Sequence, residues 1–234
     1  MGRQRPLLAN VLALVGVAAI YRLHIRGWLT TWGADDDEVT MTLPGDEFVA
    51  GDAPRTTRAI TIDASAGDVW PWLMQMGEDR GGFYSYSVLE RAAGADIHNA
   101  DTLHPEWQDL RVGDTIWLAR RYGPAARQIV AVVETRSHLV LMSPVNLERI
   151  RRGERAHGCW SFALFAGAGH TRLVVRGSGY PAGHFWFDIP HFIMEQKMMR
   201  GIADRAKRTR CATADLDDAQ PHSPQHPEHR VPTT

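Results

Sequence analysis

The sequence predicts an α+β domain in which helices cover one face of a curled antiparallel sheet. Three observations carry that expectation. Residues 57–77, TRAITIDASAGDVWPWLMQMG, alternate like a strand and then run into a capped amphipathic helix. Five more apolar segments of strand length lie between 113 and 180, joined by short turns that imply antiparallel pairing. A long stripe of apolar residues near the end of the chain then needs a sheet to cover.

At 234 residues, with 44% hydrophobic and 23% charged side chains, the chain has room for one well-buried core and some appendages. The 26 basic and 27 acidic residues leave a formal charge of -1. No global field recruits nucleic acid, no basic stripe replaces it, and nucleic-acid binding is set aside. The two cysteines, Cys159 in a strand-like segment and Cys211 near the polar tail, make no disulfide framework and have no catalytic setting.

Residues 7–21, LLANVLALVGVAAIY, follow the basic start Met1, Arg3, Arg5 and read as a signal peptide or a signal anchor. A span needs about 20 apolar residues, which the segment reaches if Arg22 and Arg26 snorkel and Trp28 marks its interfacial end. Residues 1–27 are therefore expected to form an N-terminal hydrophobic helix, with membrane contact through 7–26 and a membrane-associated protein as the consequence. Anchoring is preferred to cleavage because the small residues before a cut are poorly placed. Residues 28–55 follow as an extended arm, with Trp28, Trp32, a solvated acidic run from Asp35 to Glu38 and a turn at Pro44-Gly45-Asp46.

The main domain is expected over 56–208. In its first strand Ala59 and Thr61 face one way and Ile60 and Ile62 the other. Ser65 with Asp68 forms a capping box, Val69, Trp72, Leu73 and Met76 make the buried helix face, Pro71 kinks it, and Gly77 ends it. Residues 81–118 are too aromatic for a solvated linker, with Phe83, Tyr84, Tyr86, Trp107 and Trp117, and read as a pocket wall. Strands are expected at 113–118, 127–135, 138–144, 158–166 and 171–180. The closing helix starts near Asp188 as N-cap and runs to about Arg208, with Ile189, Phe192, Ile193, Met199, Ile202, Ala203 and Ala206 on its apolar stripe. Residues 209–234 are polar and rich in proline, and are expected to be disordered.

The strand and helix at 57–77, together with VWPWL (69–73), GFYSY (82–86), PEWQDLRVGD (105–114) and the closing helix, resemble the START-like SRPBCC superfamily over about residues 55–208. The branch in question is bacterial and related to polyketide cyclase/dehydrase and lipid-transport proteins. The resemblance implies the helix-grip fold, in which an antiparallel sheet wraps a long C-terminal helix around a hydrophobic cavity. It further implies binding of lipids, sterols, polyketides or hormones, with cyclisation or dehydration in a minority of members. It carries over no universal catalytic residue.

Candidate site residues follow from the residue types. Trp72, Met76, Phe83, Tyr84, Tyr86, His98, Trp107, Trp117, Trp160 and Trp186 are the expected ligand-binding set, although aromatics and methionines at core spacing are more often plain packing. Arg80, beside two glycines, could clamp an anionic head group or simply be exposed. His98 or His104, oriented by Asp96 or Asp101, could move protons near neutral pH. The spacing of this cluster does not favour a metal, and His222, His226 and His229 in the tail read as a polar tract. No nucleophile elbow, phosphate-binding glycine loop or dinucleotide fingerprint is present, and no metal or cofactor is expected. Binding or carriage of a hydrophobic small molecule or lipid by a membrane-tethered domain is thus the expected function. The alternative is a cyclase or dehydratase-like enzyme with a histidine acid/base, for which His98, His104 and Asp101 are the catalytic candidates.

Overall fold

Six strands form one antiparallel sheet in the order β1-β6-β5-β4-β3-β2, over Arg55–Ile62 (β1), Thr115–Trp117 (β2), Arg127–Glu134 (β3), His138–Met142 (β4), Gly158–Ala166 (β5) and Thr171–Gly179 (β6). The computed structural model describes residues 16, 19, 21, 25–92, 94–179, 182 and 184–218. Strands β3 to β6 follow one another as hairpin neighbours, and β1 joins the far edge of β6 with Ile62 opposite Thr171. A bulge between Val130 and Val132 interrupts the β3–β4 register and sharpens the local twist.

Helices lie on the inner face of the curled sheet. Ser65 and Asp68 form both halves of the expected capping box at the start of α3 (Ala66–Met74): Asp68 N donates to Ser65 Oγ at 3.2 Å and Ser65 N to Asp68 Oδ2 at 3.0 Å. That helix contains Pro71 and ends at Met74, short of the expected stop at Gly77. The closing helix α6 (Phe185–Asp218) starts before Asp188, which lies in its first turn, and continues past 208. Trp72, Leu73 and Met76 meet Leu139, Phe162, Leu173, Met199, Ile202 and Ala206 in the main core.

Alternation in β1 is as expected: Ile62 faces this core, whereas Ala59 packs on the outer face with Leu43, Ala163 and Val174. The outer face is not bare, and here the structure corrects the picture of an extended arm with solvated acids. Residues 28–55 contain α1 (Arg26–Thr30), α2 (Asp36–Thr40) and a short 3-10 turn at Asp46–Phe48. Asp35 caps α2 with Glu38 in a second capping box, and Glu38 also receives Arg172 at 2.6 Å and 2.7 Å. Asp46 takes Arg176 at 2.5 Å. Asp35, Asp36 and Asp37 are exposed as expected, whereas Glu38 and Asp46 are held because two arginines on the outer strand face point at them.

The remaining helices are α4 (Ser87–Ala92), within the aromatic segment, and α5 (Pro144–Arg151). α5 was not expected from periodicity. Its start signal is nevertheless ordinary: Ser143 accepts from Asn146 N and Pro144 occupies the first turn.

The expectation of a single N-terminal anchor and a membrane location is corrected. Among the described residues no helix is long and apolar enough to cross a membrane. Trp28, read as the interfacial end of such a span, instead packs on Phe192 of α6 with ring centroids 4.9 Å apart, and Leu29 is buried. Of the run 7–21, all but residues 16, 19 and 21 lie outside the described residues, as do the tail histidines.

Candidate functional site

A cavity of about 640 Å³ opens between α4, the first half of α6 and the ends of β5 and β6. Phe83, Ile97, Trp160, Trp186, Met194 and Met198 supply most of its apolar wall. Ser85, Gln128, Ser143, Asn146 and Ser178 add neutral polar groups to that wall, and acidic side chains and a histidine enter it from α6 and α4.

On α6, His191 and Glu195 are one turn apart, and Glu195 is buried against the sheet. Arg58 of β1 reaches them because it is in phase with Ile60 and Ile62 on the inner strand face. Its Nη1 donates to Glu195 Oε2 and, at 3.1 Å, to His191 Nδ1, while its Nε donates to Leu29 O at 2.8 Å. Trp160 Nε1 donates to Glu195 Oε1 at 2.8 Å. Burying a charge without partners costs several kcal/mol, so the carboxylate is tolerable here because both its oxygens are occupied.

An arginine can only donate, so His191 accepts at Nδ1, is neutral, and carries its proton on Nε2. Burial holds the imidazole below its ordinary value, opposed by Glu195 and reinforced by Arg58. Burial pushes Glu195 up, but attraction to His191 in its charged form and to Arg58, with the bonds from Arg58 and Trp160, outweighs it, and the carboxyl lies below its usual range. Since the ring is neutral, Arg58 is the balancing charge. The ring stacks on Phe187 with centroids 4.8 Å apart.

On α4, Glu90 lines the cavity at 2% exposure, and among the described residues neither carboxyl oxygen has a hydrogen-bond partner. Burial raises it to about 7, against a small lowering by Arg91. Its backbone is fully used, with N bonded to Tyr86 O and O to Ala95 N, so the unmet capacity belongs to the side chain.

Of the expected ligand-binding residues, Phe83, Trp160 and Trp186 line the cavity. Trp72 and Met76 are core residues behind it. Tyr84 is also buried; its hydroxyl donates to Trp72 O at 3.0 Å, and burial raises the hydroxyl's pKa. Tyr86 is 44% exposed beside Lys197, Trp107 stacks on His104 at 4.2 Å, and Trp117 lies between Arg120 and Arg127. Residues 81–118 do form one wall of the pocket, through Phe83, Ser85, Glu90, Ala95, Ile97 and Leu118, but of the segment's expected aromatics only Phe83 faces it.

The proton-transfer candidates are not gathered in the cavity. His98 has 78% of its side chain exposed, 3.8 Å from Asp96, and His104 pairs with Glu106 at 3.2 Å. Asp101 binds Arg205 at 2.8 Å, and Arg205 in turn lies over the Tyr84 ring. Arg80 donates to Met74 O and Trp107 O, finishing α3 rather than meeting an anion. Cys159 is buried, and burial raises its thiol to about 11, which leaves it a poor nucleophile. Among the described residues no group of three or more histidine, cysteine or acidic side chains could hold a metal ion.

Sequence reasoning missed Arg58, Glu90, His191 and Glu195. Periodicity held the signal for three of them: a charged residue in phase with Ile60 and Ile62, and a histidine and a glutamate four residues apart on the closing helix, His191 and Glu195.

No family model matches the chain, and no curated protein matches it. Solved structures do. Protein Ms6760 from Mycobacterium smegmatis is 13% identical with a TM-score of 0.38, covering 70% of this chain and 96% of that one. The Polyketide_cyc-like protein Cgl2372 from Corynebacterium glutamicum is 14% identical with a TM-score of 0.29, covering 74% and 100%. CalU16 from Micromonospora echinospora is 15% identical with a TM-score of 0.31, covering 71% and 90%. Likenesses this distant decide neither family nor activity. The class is defined by the molecule itself: a six-stranded antiparallel sheet gripping a long C-terminal helix, with a hollow between them. That is the helix-grip architecture which the SRPBCC resemblance implies.

Proposed function

We propose that the protein binds a hydrophobic small molecule, a lipid among the candidates, in the cavity between sheet and closing helix. The observation that carries this reading is a hollow of about 640 Å³ whose wall is mostly apolar and aromatic. Small-molecule sites are of this kind, concave and apolar with a few fixed polar groups, and run from about 300 to 1,000 Å³. Affinity would come from apolar area removed from water, at about 25 cal/mol per Å² before ordering costs. Phe83, Trp160 and Trp186 would touch the ligand, while Trp72, Met76 and Tyr84 would hold the wall in shape.

The reaction alternative draws no support from His98 and His104, which do not line the hollow; the histidine that does is His191. Native mass spectrometry of the purified chain, with organic extraction of what it carries, is expected to show one apolar molecule per protein. An environment-sensitive apolar dye should also enter, and Trp160→Ala should weaken it by about tenfold, the scale of losing one buried aromatic contact. A protein that carries nothing and admits no apolar probe would end this reading.

A further inference from the structure

We propose that the cavity selects an apolar molecule bearing a protonated amine, held by the Glu90 carboxylate. This rests on the cavity being a ligand site, and adds the chemistry of the ligand's polar end. Two carboxyl groups line the hollow, Glu90 and Glu195, and no lysine or arginine does among the described residues. The two acids differ in one respect. Glu195 is answered by Arg58 and Trp160, whereas both oxygens of Glu90 lack a partner and the residue is 2% exposed.

A buried carboxyl without a partner is a structural cost that a ligand cation can relieve. The desolvation of Glu90 is already incurred on folding, so an incoming ammonium contributes only its own. Both oxygens have almost no accessible surface although the residue lines the hollow, so an ammonium would meet the carboxyl only after a rotation about the side-chain torsions. His191 does not compete for the ammonium as an acceptor, since its Nδ1 is taken by Arg58. An apolar carboxylic acid meets the opposite situation: two acidic groups and no cation to receive it.

The test compares dodecylamine, dodecanol and dodecanoate, below their micellar concentrations, by displacement of an apolar dye from the full chain at pH 7.5. Dodecylamine is expected to bind at least about tenfold more tightly than dodecanol, as measured couplings of close charge pairs allow, with dodecanoate weakest. Glu90→Gln should bring the amine to the level of the alcohol while changing the alcohol less than about twofold, a step smaller than any such coupling. Should that variant not fold, Glu90→Met, which continues the apolar wall, carries the same comparison. Equal binding of amine and alcohol, or an amine preference that survives loss of the carboxyl, would overturn the proposal and leave apolar binding intact. If none of the three probes binds, the cavity reading itself falls.

Discussion

Glu90 shows at the scale of one residue how burial without a partner appears in stability. Its carboxyl is raised from an ordinary 4.5 to about 7, chiefly because burial penalises the charge. Below pH 4.5 the group is protonated in folded and unfolded chains alike and contributes nothing. As pH rises from 4.5 to 7 the unfolded chain loses this proton while the folded chain keeps it, so the folded state is progressively disfavoured, and above 7 the penalty is complete. Glu90→Gln removes the titration. Relative to the parent, that variant should gain thermal stability steadily between pH 4.5 and about pH 7 and level off above it, whatever constant offset its amide brings. Parallel melting curves across that window would show that the carboxyl finds a partner in solution. Arg58 illustrates the converse. Its Nη2 is also left without a partner among the described residues, but its Nε and Nη1 are received by Leu29, His191 and Glu195, and the charge is tolerated because a carboxylate faces it.

Elements show where one secondary-structure unit depends on another. α6 passes so close to the aromatic segment that a Cβ added at Gly201 would lie 2.4 Å from Tyr84 O and 2.7 Å from Tyr84 Cβ. Tyr84 cannot easily yield. It holds a left-handed backbone, φ 58°, pinned by Asn99 Oδ1 on its N–H at 2.5 Å and by its hydroxyl on Trp72 O. Gly201→Ala should therefore cost about 1–3 kcal/mol in urea unfolding, the usual range for an overpacked core, and weaken dye binding through the neighbouring Phe83. A loss under about 0.5 kcal/mol, the scatter of ordinary surface changes, would mean that the loop moves aside freely.

The same elements show how far the sequence could be read. Strand alternation and the Ser65 capping box were legible because each is a local pattern with one geometric meaning. The closing helix was legible as an element, and Phe192, Met199, Ile202 and Ala206 are buried as its stripe requires. Ile189 and Ile193 are about 40% exposed, however, while Asp188 and Glu195 are buried in their place. Apolar periodicity alone shifts the helix face by one position, because it has no means of counting a buried charge whose partner, Arg58, is 137 residues away. The candidate site suffered for the same reason. Aromatic density marked Phe83, Trp160 and Trp186 correctly as wall, but it could not tell them from Trp72 and Met76, which fill core.

At the scale of the whole molecule, the question is whether the sheet can stand without the segment before it. Its inner face is covered by α3 and α6, and its outer face by residues 34–53. Leu43 and Val49 pack there against Val174 and Val140, each removing an apolar side chain from water at about 1.5–3 kcal/mol. Arg176 is 1% exposed and sends its donors to Met41 O, Glu38 O, Val39 O and Asp46, all in that segment. These bonds explain why an arginine stands in the middle of an otherwise apolar strand: the preceding chain supplies its acceptors. A chain shortened to residues 56–234, cut where the sequence alone suggests the domain begins, should then expose an apolar sheet face and leave β1 without Trp32 O, the acceptor of Ala59 N. Size-exclusion chromatography and thermal unfolding are expected to show association or a midpoint more than about 10 °C lower, consistent with several kcal/mol lost from a protein of this size. A shortened chain that stays monomeric and melts with the parent would instead make the arm a separable linker.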